Sequence, residues 1–231
     1  MKLILRGGES VLVSDWREAL ALMAYYDFSQ RIGSYSRQDL HELNYLISEV
    51  DTKLKADIYS LGAHFGYCSA LLFALVRKLK PMIVVETGVA QGVTTYTILR
   101  ALQLNGDRST LISIDKPNAD GRYVRSEKEA GWLVPNHLRR NWDLRLGSSS
   151  EILPTIQLQV DLFYHDSLHT YQNMLFEYEW AYVHTRPGGV IASDDTGANH
   201  AYNDFLSKHS DLAQISNYGN FGALLKRRPS T

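Results

Sequence analysis

The stretch VDLFYHDSLHTYQ, residues 160–172, is a run of apolar residues that stops on Asp166, with His165 just before it and His169 three residues after. A second run, GGVIASDD, stops on the pair Asp194 and Asp195. Histidine titrates near neutral pH and can take a proton from an attacking group, which makes His169 a candidate general base. Carboxylates gathered in one place repel one another unless a cation or proton lies among them. An all-oxygen set of this kind suits magnesium or a similar hard divalent ion, with Asp166, Asp194 and Asp195 as its ligands. Each side chain also has a plainer role. Asp166 can cap a helix starting at SLHTYQ, Asp194 or Asp195 can cap one in TGANHAYNDFL, and His169 can pack at a helix start. His165 alternates to the other side of its strand, where packing or contact with a bound ligand suits it better than ligation. His200 could face a substrate, but surface exposure is expected.

A second constellation lies upstream. MIVVET runs into the turn GVAQG and then into the helical stretch VTTYTILRALQ. Glycines here let the backbone approach a ligand, and a helix N-terminus offers free N–H groups. The dinucleotide fingerprint GxGxxG is not matched, and Glu86 at the strand end gives a pyrophosphate nothing. Asp115, at the end of STLISID, is placed to accept hydrogen bonds from ribose hydroxyls. In LRLGSSSEILPTI, Gly147 is followed by Ser148 and Ser149, which read as helix-capping residues when taken alone.

The elements that must hold these residues alternate. After Pro81, the apolar runs MIVVET, STLISID, WDLRLG, VDLFYHD and GGVIASDD are separated by segments long enough for helices, the pattern of parallel strands buried on both faces. DLAQISN and FGALLKRR add two strands as a hairpin around YGN. The expected architecture is α/β, a doubly wound, mostly parallel, seven-stranded Rossmann-like sheet. Ligands of such sheets bind beyond the carboxyl ends of the strands, where Asp166 and the Asp194–Asp195 pair would meet if the fourth and fifth strands lie beside the first. Before Pro81, helices are expected over 15–28, 36–50 and 67–80, with caps at Ser14 and at Ser34 or Ser36 and a turn at Gly33. Residues 1–80 therefore read as an N-terminal helical extension and residues 81–231 as the ligand-binding domain.

With 24 basic and 25 acidic residues the chain has a net charge of −1, so no basic field favours nucleic acid as a partner. The single cysteine, Cys68, leaves no disulfide framework and no CxxC metal site. No apolar stretch reads as a signal peptide or a membrane span, and a cytoplasmic enzyme is expected.

The turn ETGVAQG followed by the acid Asp115 resembles the class I S-adenosylmethionine-dependent methyltransferases. The resemblance implies that Glu86, Gly88 and Gly92 line the methionine end of the cofactor, with Thr94 toward its carboxylate and Asp115 on the ribose. LRLGSSSEILPTI looks like the segment of catechol-type O-methyltransferases that passes over the adenine, with Gly147, Ser148 and Ser149 in the contacting positions. DLFYHDSLHTYQNMLFEYEWAYVHTRPGGVIASDD is similar to metal-dependent O-methyltransferases of small molecules, including those acting on macrolide sugars. That similarity carries the family's metal ligands to Asp166, Asp194 and Asp195, and its polar loop to His169 and Tyr171. Relatives of the sugar-modifying kind often have Gly and Asp after the strand-ending acid, where this chain has Ser167 and Leu168. If that Asp is their base, His169 must replace it; it stands at the offset where catechol-type relatives place a catalytic lysine.

The implied activity is methyl transfer from S-adenosylmethionine to a hydroxyl of a small acceptor (a sugar, glycoside or catechol-like diol), assisted by magnesium. A nicotinamide-dependent oxidoreductase is disfavoured by the missing GxGxxG and the absence of a Tyr-xxx-Lys pair. A non-catalytic domain of the same fold is favoured only by Leu168. The N-terminal helices are expected to cover the cofactor, shape the acceptor pocket together with the loop 117–134, or form a homo-oligomer interface.

Overall fold

The computed structural model describes residues 2–5, 8, 10–57, 64–106, 108–116 and 129–229, which fall into two compact units. The first unit is Met1–Lys80, Ala90–Asn105 and Asn118–Leu138; the second is Pro81–Val89, Gly106–Pro117 and Arg139–Thr231.

The first unit is helical. A short hairpin of β1 (Lys2–Ile4) and β2 (Ser10–Leu12), which the residue pattern did not announce, precedes α1 (Trp16–Arg31), α2 (Arg37–Lys55), α3 (Tyr67–Leu79) and α4 (Val93–Asn105). The cap of α1 is Asp15 rather than Ser14, because the Asp15 carboxylate accepts from the N–H groups of Arg17 and Glu18 at 2.9 and 3.0 Å. Ser36 caps α2, accepting from the Asp39 N–H at 3.3 Å. Buried Asp39 receives the Arg77 Nε at 3.0 Å from each carboxylate oxygen, joining α2 to α3; Arg77 also donates to Asn105 of α4. Both helices before α3 run longer than expected, to Arg31 and Lys55, since nothing before Gly33 or Ala56 breaks the hydrogen-bonded ladder. Of the loop expected to shape the acceptor pocket, residues 117–128 lie outside the described residues.

The second unit holds the sheet. Its strands are β3 (Ile83–Thr87), β4 (Thr110–Asp115), β5 (Trp142–Leu146), β6 (Val160–His165), β7 (Thr185–Ser193), β8 (Leu212–Tyr218) and β9 (Phe221–Lys226), in the order β5-β4-β3-β6-β7-β9-β8. The first five pair in parallel, while β9 pairs antiparallel with both β7 and β8. The expected seven-stranded, mostly parallel architecture is therefore the observed one, with strand order reversing between β3 and β6. The tetrapeptide RPGG lies within β7 as a bulge: the partner of Val160 is Thr185 but that of Leu162 is already Val190. The remaining helices are α5 (Ser149–Ile152), α6 (Tyr171–His184) and α7 (Ala201–Lys208). On one face of the sheet Val85, Phe163 and Ile191 pack with Met174 and Tyr178 of α6 and Phe205 of α7 into a buried apolar cluster. Among the described residues no helix is long and apolar enough to cross a membrane.

Candidate active site

Register decides which strand ends meet. Thr87, His165 and Ser193 are partners in one row across β3, β6 and β7. The ladder continues one residue past each strand, with Asp166 N–H donating to Thr87 O at 2.8 Å and Asp194 N–H donating to His165 O at 2.9 Å. Gly88 N–H donates to Ile114 O at 2.8 Å on the other side. Gly88, Asp166 and Asp194 are thus brought side by side at the carboxyl rim. The approach of the first two admits no side chain, since a Cβ on Gly88, whose φ is +86°, would lie 1.9 Å from the Asp166 carbonyl oxygen.

Alternation along the strands gives this rim two polar faces. Facing α6, directly above the apolar cluster, are Thr87, His165 and Ser193, all fully buried. They meet buried side chains of α6. Glu177 Oε2 accepts from Thr87 Oγ1 at 2.5 Å and lies 2.6 Å from His165 Nδ1, while its Oε1 accepts from Ser167 Oγ at 2.7 Å and Asn173 Nδ2 at 3.0 Å. Tyr178 OH pairs with Ser193 Oγ at 2.6 Å. Burial alone would raise the pKa of Glu177, but His165 and the hydroxyl donors outweigh it and hold the carboxyl below its usual range. An ionised Glu177 can only accept, so the His165 Nδ1 that faces it donates, while the buried Nε2 of His165 has no hydrogen-bond partner.

The other face carries the acids. Glu86 is fully buried and accepts from its cross-strand neighbour Ser113 at 2.6 Å; Ser113 Oγ in turn accepts from Trp142 Nε1 at 2.9 Å. Asp166 is pushed well above the usual carboxylate range, by desolvation first and then by the negative charges of Asp194, Glu86 and Asp195. Asp195 has a left-handed backbone with φ of +47° and accepts from Asn220 Nδ2 at 3.1 Å, while Asp194 Oδ1 accepts from the Asp195 N–H at 2.8 Å.

His169 stands among these carboxylates. Its Nε2 is 4.0 Å from Asp166 and its Nδ1 is 3.8 Å from Asp195. Asn199 steadies the loop by donating to the His169 carbonyl at 3.2 Å. Burial and the neighbouring His165 lower the His169 pKa from 6.5, against the opposing pull of Asp195, Asp194 and Glu177. A neutral imidazole with a buried, unpartnered Nε2 is equipped to accept a proton. Among the described residues no group of three or more His, Cys, Asp or Glu side chains is placed to hold a metal ion. In the rim Asp194 and Asp195 each direct one oxygen to an internal donor, and His169 lies within 4.0 Å of Asp166 and 3.8 Å of Asp195.

The other expected residues are distributed as follows. Asp115 ends β4, with its Oδ1 3.4 Å from the Val89 N–H, and its carbonyl accepts from Gly147 N–H at 2.9 Å. Ser148 forms a capping box with Glu151, donating to its carboxylate at 2.6 Å, and Ser149 donates to Asn173 at 3.3 Å. Gly92 and Thr94 belong to the first unit; a Cβ on Gly92 would meet the Gly131 Cα at 2.7 Å. Tyr171 points away to Asp204, at 2.9 Å, and His200 is exposed. Reasoning from the sequence missed Glu177, Asn173, Ser113 and Trp142. The one signal for Glu177 was an acid amid apolar residues in NMLFEYEW.

Residues 85–196 match the family model of a methyltransferase domain. This segment is similar to methyltransferase domains. Its fold recurs in an O-methyltransferase of Streptomyces achromogenes involved in tomaymycin synthesis, solved with SAM, with a TM-score of 0.61 and 18% identity over 93% of this chain and 100% of that one. An O-methyltransferase of Bacillus cereus in complex with SAH gives 0.59 and 16% identity over 84% and 100% of the two chains. A SAH-bound methyltransferase of Podospora anserina gives 0.60 and 10% identity over 95% and 100%. No curated protein matches the chain by sequence. The matched segment runs from within β3 to just past the Asp194–Asp195 pair and so contains the acid rim, His169 and Glu177.

Proposed function

We propose that the protein is an S-adenosylmethionine-dependent O-methyltransferase acting on a hydroxyl of a small molecule such as a sugar, glycoside or catechol-like diol. The observation that carries this reading is the carboxyl rim of the sheet, where the Gly88 turn packs directly against the Asp166 backbone and His169, its pKa lowered, stands 4.0 Å from the Asp166 carboxylate. The solved complexes of similar fold with SAM and SAH support the choice of cofactor.

When bound, the cofactor supplies an electrophilic methyl carbon and leaves as a neutral thioether. Asp115, at the end of the strand next to the one that leads into the Gly88 turn, is a carboxylate of the kind that accepts from ribose hydroxyls. Gly147, Ser148 and Ser149 follow β5, and the capping of Ser148 fixes the start of α5 there. Positioning is most of the catalysis, since alignment of two reactants can supply ~7–11 kcal/mol. His169 takes the proton from the attacking hydroxyl as the new carbon–oxygen bond forms. Asp166, Asp194 and Asp195 are the residues that would hold a divalent ion, and His169 is the residue that takes the proton.

The test is turnover with S-adenosylmethionine and three acceptors (catechol, a methyl glycoside and phenol), with and without magnesium or a chelator, reading SAH and methylated product. SAH formed only in the presence of a hydroxylated acceptor is expected. Binding of NADH in place of S-adenosylmethionine would sink the reading in favour of an oxidoreductase. A strict requirement for magnesium would assign the cation to Asp166, Asp194 and Asp195.

A further inference from the structure

Glu177 is the most constrained polar side chain near the rim, yet it touches no rim carboxylate in the described hydrogen bonds. Burying an ionised carboxyl is costly, so its retention in the middle of α6 calls for a role. Its partners indicate one. Thr87 immediately precedes Gly88, and His165 and Ser167 flank Asp166, while Asn173 lies in the first turn of the helix that carries Glu177 itself. One carboxylate therefore grips both backbone segments that touch at Gly88 and Asp166, where a single added carbon would not fit. The grip reaches further, because the His165 ring that Glu177 fixes meets the His169 ring edge to face, at 5.1 Å and 84°. Asn173 also donates to the Leu168 carbonyl at 3.0 Å, tying the chain just before His169 to the same network.

We propose that Glu177 is a positioning residue for methyl transfer, acting through Thr87, His165 and Ser167 to hold the Gly88 turn, the Asp166 loop and the His169 ring in register. This inference rests on the methyl-transfer reading above. It assigns no contact between Glu177 and substrate or cofactor. A mere stabiliser of the fold would, when altered, lower stability and every function together. A positioning residue separates them, because small displacements at reacting groups cost rate far more than affinity.

The experiment compares wild type with Glu177→Gln, Glu177→Asp and Ser167→Ala. It reads kcat and KM with catechol and S-adenosylmethionine, SAH affinity by calorimetry, melting temperature, and the imidazole proton of His165 by nitrogen-15-labelled-histidine NMR. The wild type should show a downfield Nδ1 proton from His165 that disappears in Glu177→Gln. That variant should lose about ten- to a hundredfold in kcat while SAH affinity stays within about threefold. Glu177→Asp should recover part of the rate, and Ser167→Ala should lose less than Glu177→Gln. A Glu177→Gln protein that folds and keeps kcat within about twofold overturns the proposal, as does a parallel fall of kcat, SAH affinity and melting temperature. If Glu177→Gln does not fold, Ser167→Ala carries the test, and an unchanged kcat there overturns it. Should the wild type bind SAH but methylate no acceptor, the methyl-transfer reading fails separately, and the grip is judged by the His165 proton alone, whose absence overturns it.

Discussion

The two aspartates at opposite ends of β6 have opposite electrostatics. Asp161, at the amino end, accepts from the N–H groups of Met82 and Ile83 at 2.8 Å each and pairs with Arg186. Burial works against its charge, but Arg186 and the two N–H donors prevail and hold its carboxyl below the usual range. Asp166, at the carboxyl end, is desolvated and has Asp194, Glu86 and Asp195 as like-charged neighbours, so its carboxyl is held well above that range. One strand thus carries a carboxylate whose ionisation supports the fold and another whose ionisation opposes it. Charge kept at a cost to stability is the mark of a site, and it sits at the end of the sheet where ligands of this fold bind.

The contrast can be broken by substitution. The largest effect belongs to the chemistry: His169→Ala should lower the rate of methyl transfer by about 10²–10⁴-fold, with the loss greatest near neutral pH and smaller in alkali, where the acceptor ionises unaided. In the wild type the acid limb of the rate should fall at a pH below 6.5, because burial and His165 lower the His169 pKa. An acid limb above 6.5, or a flat one, removes His169 as the base.

Next in size, Asp161→Asn should cost about 2 kcal/mol, read as a fall of ~4–8 °C in melting temperature, since the amide removes the charge that faces Arg186 and keeps only one acceptor oxygen for Arg186 and the two backbone donors. Asp166→Asn should act in the opposite direction, raising the melting temperature by ~2–4 °C for about 1 kcal/mol while impairing turnover. A destabilised Asp166→Asn protein would mean that the rim is not a region of unrelieved repulsion.

The smallest effect is the pH dependence of these two shifts, and its signs follow from linkage. The depressed pKa of Asp161 contributes stability at pH above its unfolded value that is lost as pH falls through the folded one. The raised pKa of Asp166 imposes a penalty that appears as pH rises through the unfolded value and is complete above the folded one. Both variants should therefore converge on the wild-type melting temperature in acid, one from below and one from above. A gap that widens in acid for either variant would reverse its assignment.

Much of this arrangement was legible in the chain. Strands buried on both faces announce themselves as apolar runs, so all seven strands of the sheet could be read, and polar residues closing such runs marked Glu86, Asp115, Asp166 and the Asp194–Asp195 pair as strand ends. His165 was rightly separated from the acids by alternation alone, and it lies buried against α6. The misses have a common cause. Ser14 and Asp15 are adjacent capping residues, and only backbone geometry selects Asp15. Glu177 depends on partners 90, 12, 10 and 4 residues away, and Trp142 reaches Glu86 only through Ser113 of β4.

By itself the sequence determined the periodicities, and through them a parallel sheet whose acids lie at one rim, because hydrophobic alternation is a local property of the chain. Only the tertiary structure decided how those acids are used. Strand register set Asp166 beside Gly88 and Asp194, the ring of His169 came to lie near two carboxylates expected to share a metal, and α6 delivered Glu177 beneath them. Hydrogen bonds and charge repulsion act over a few ångströms, and the distances they depend on exist only once strands far apart in sequence have paired.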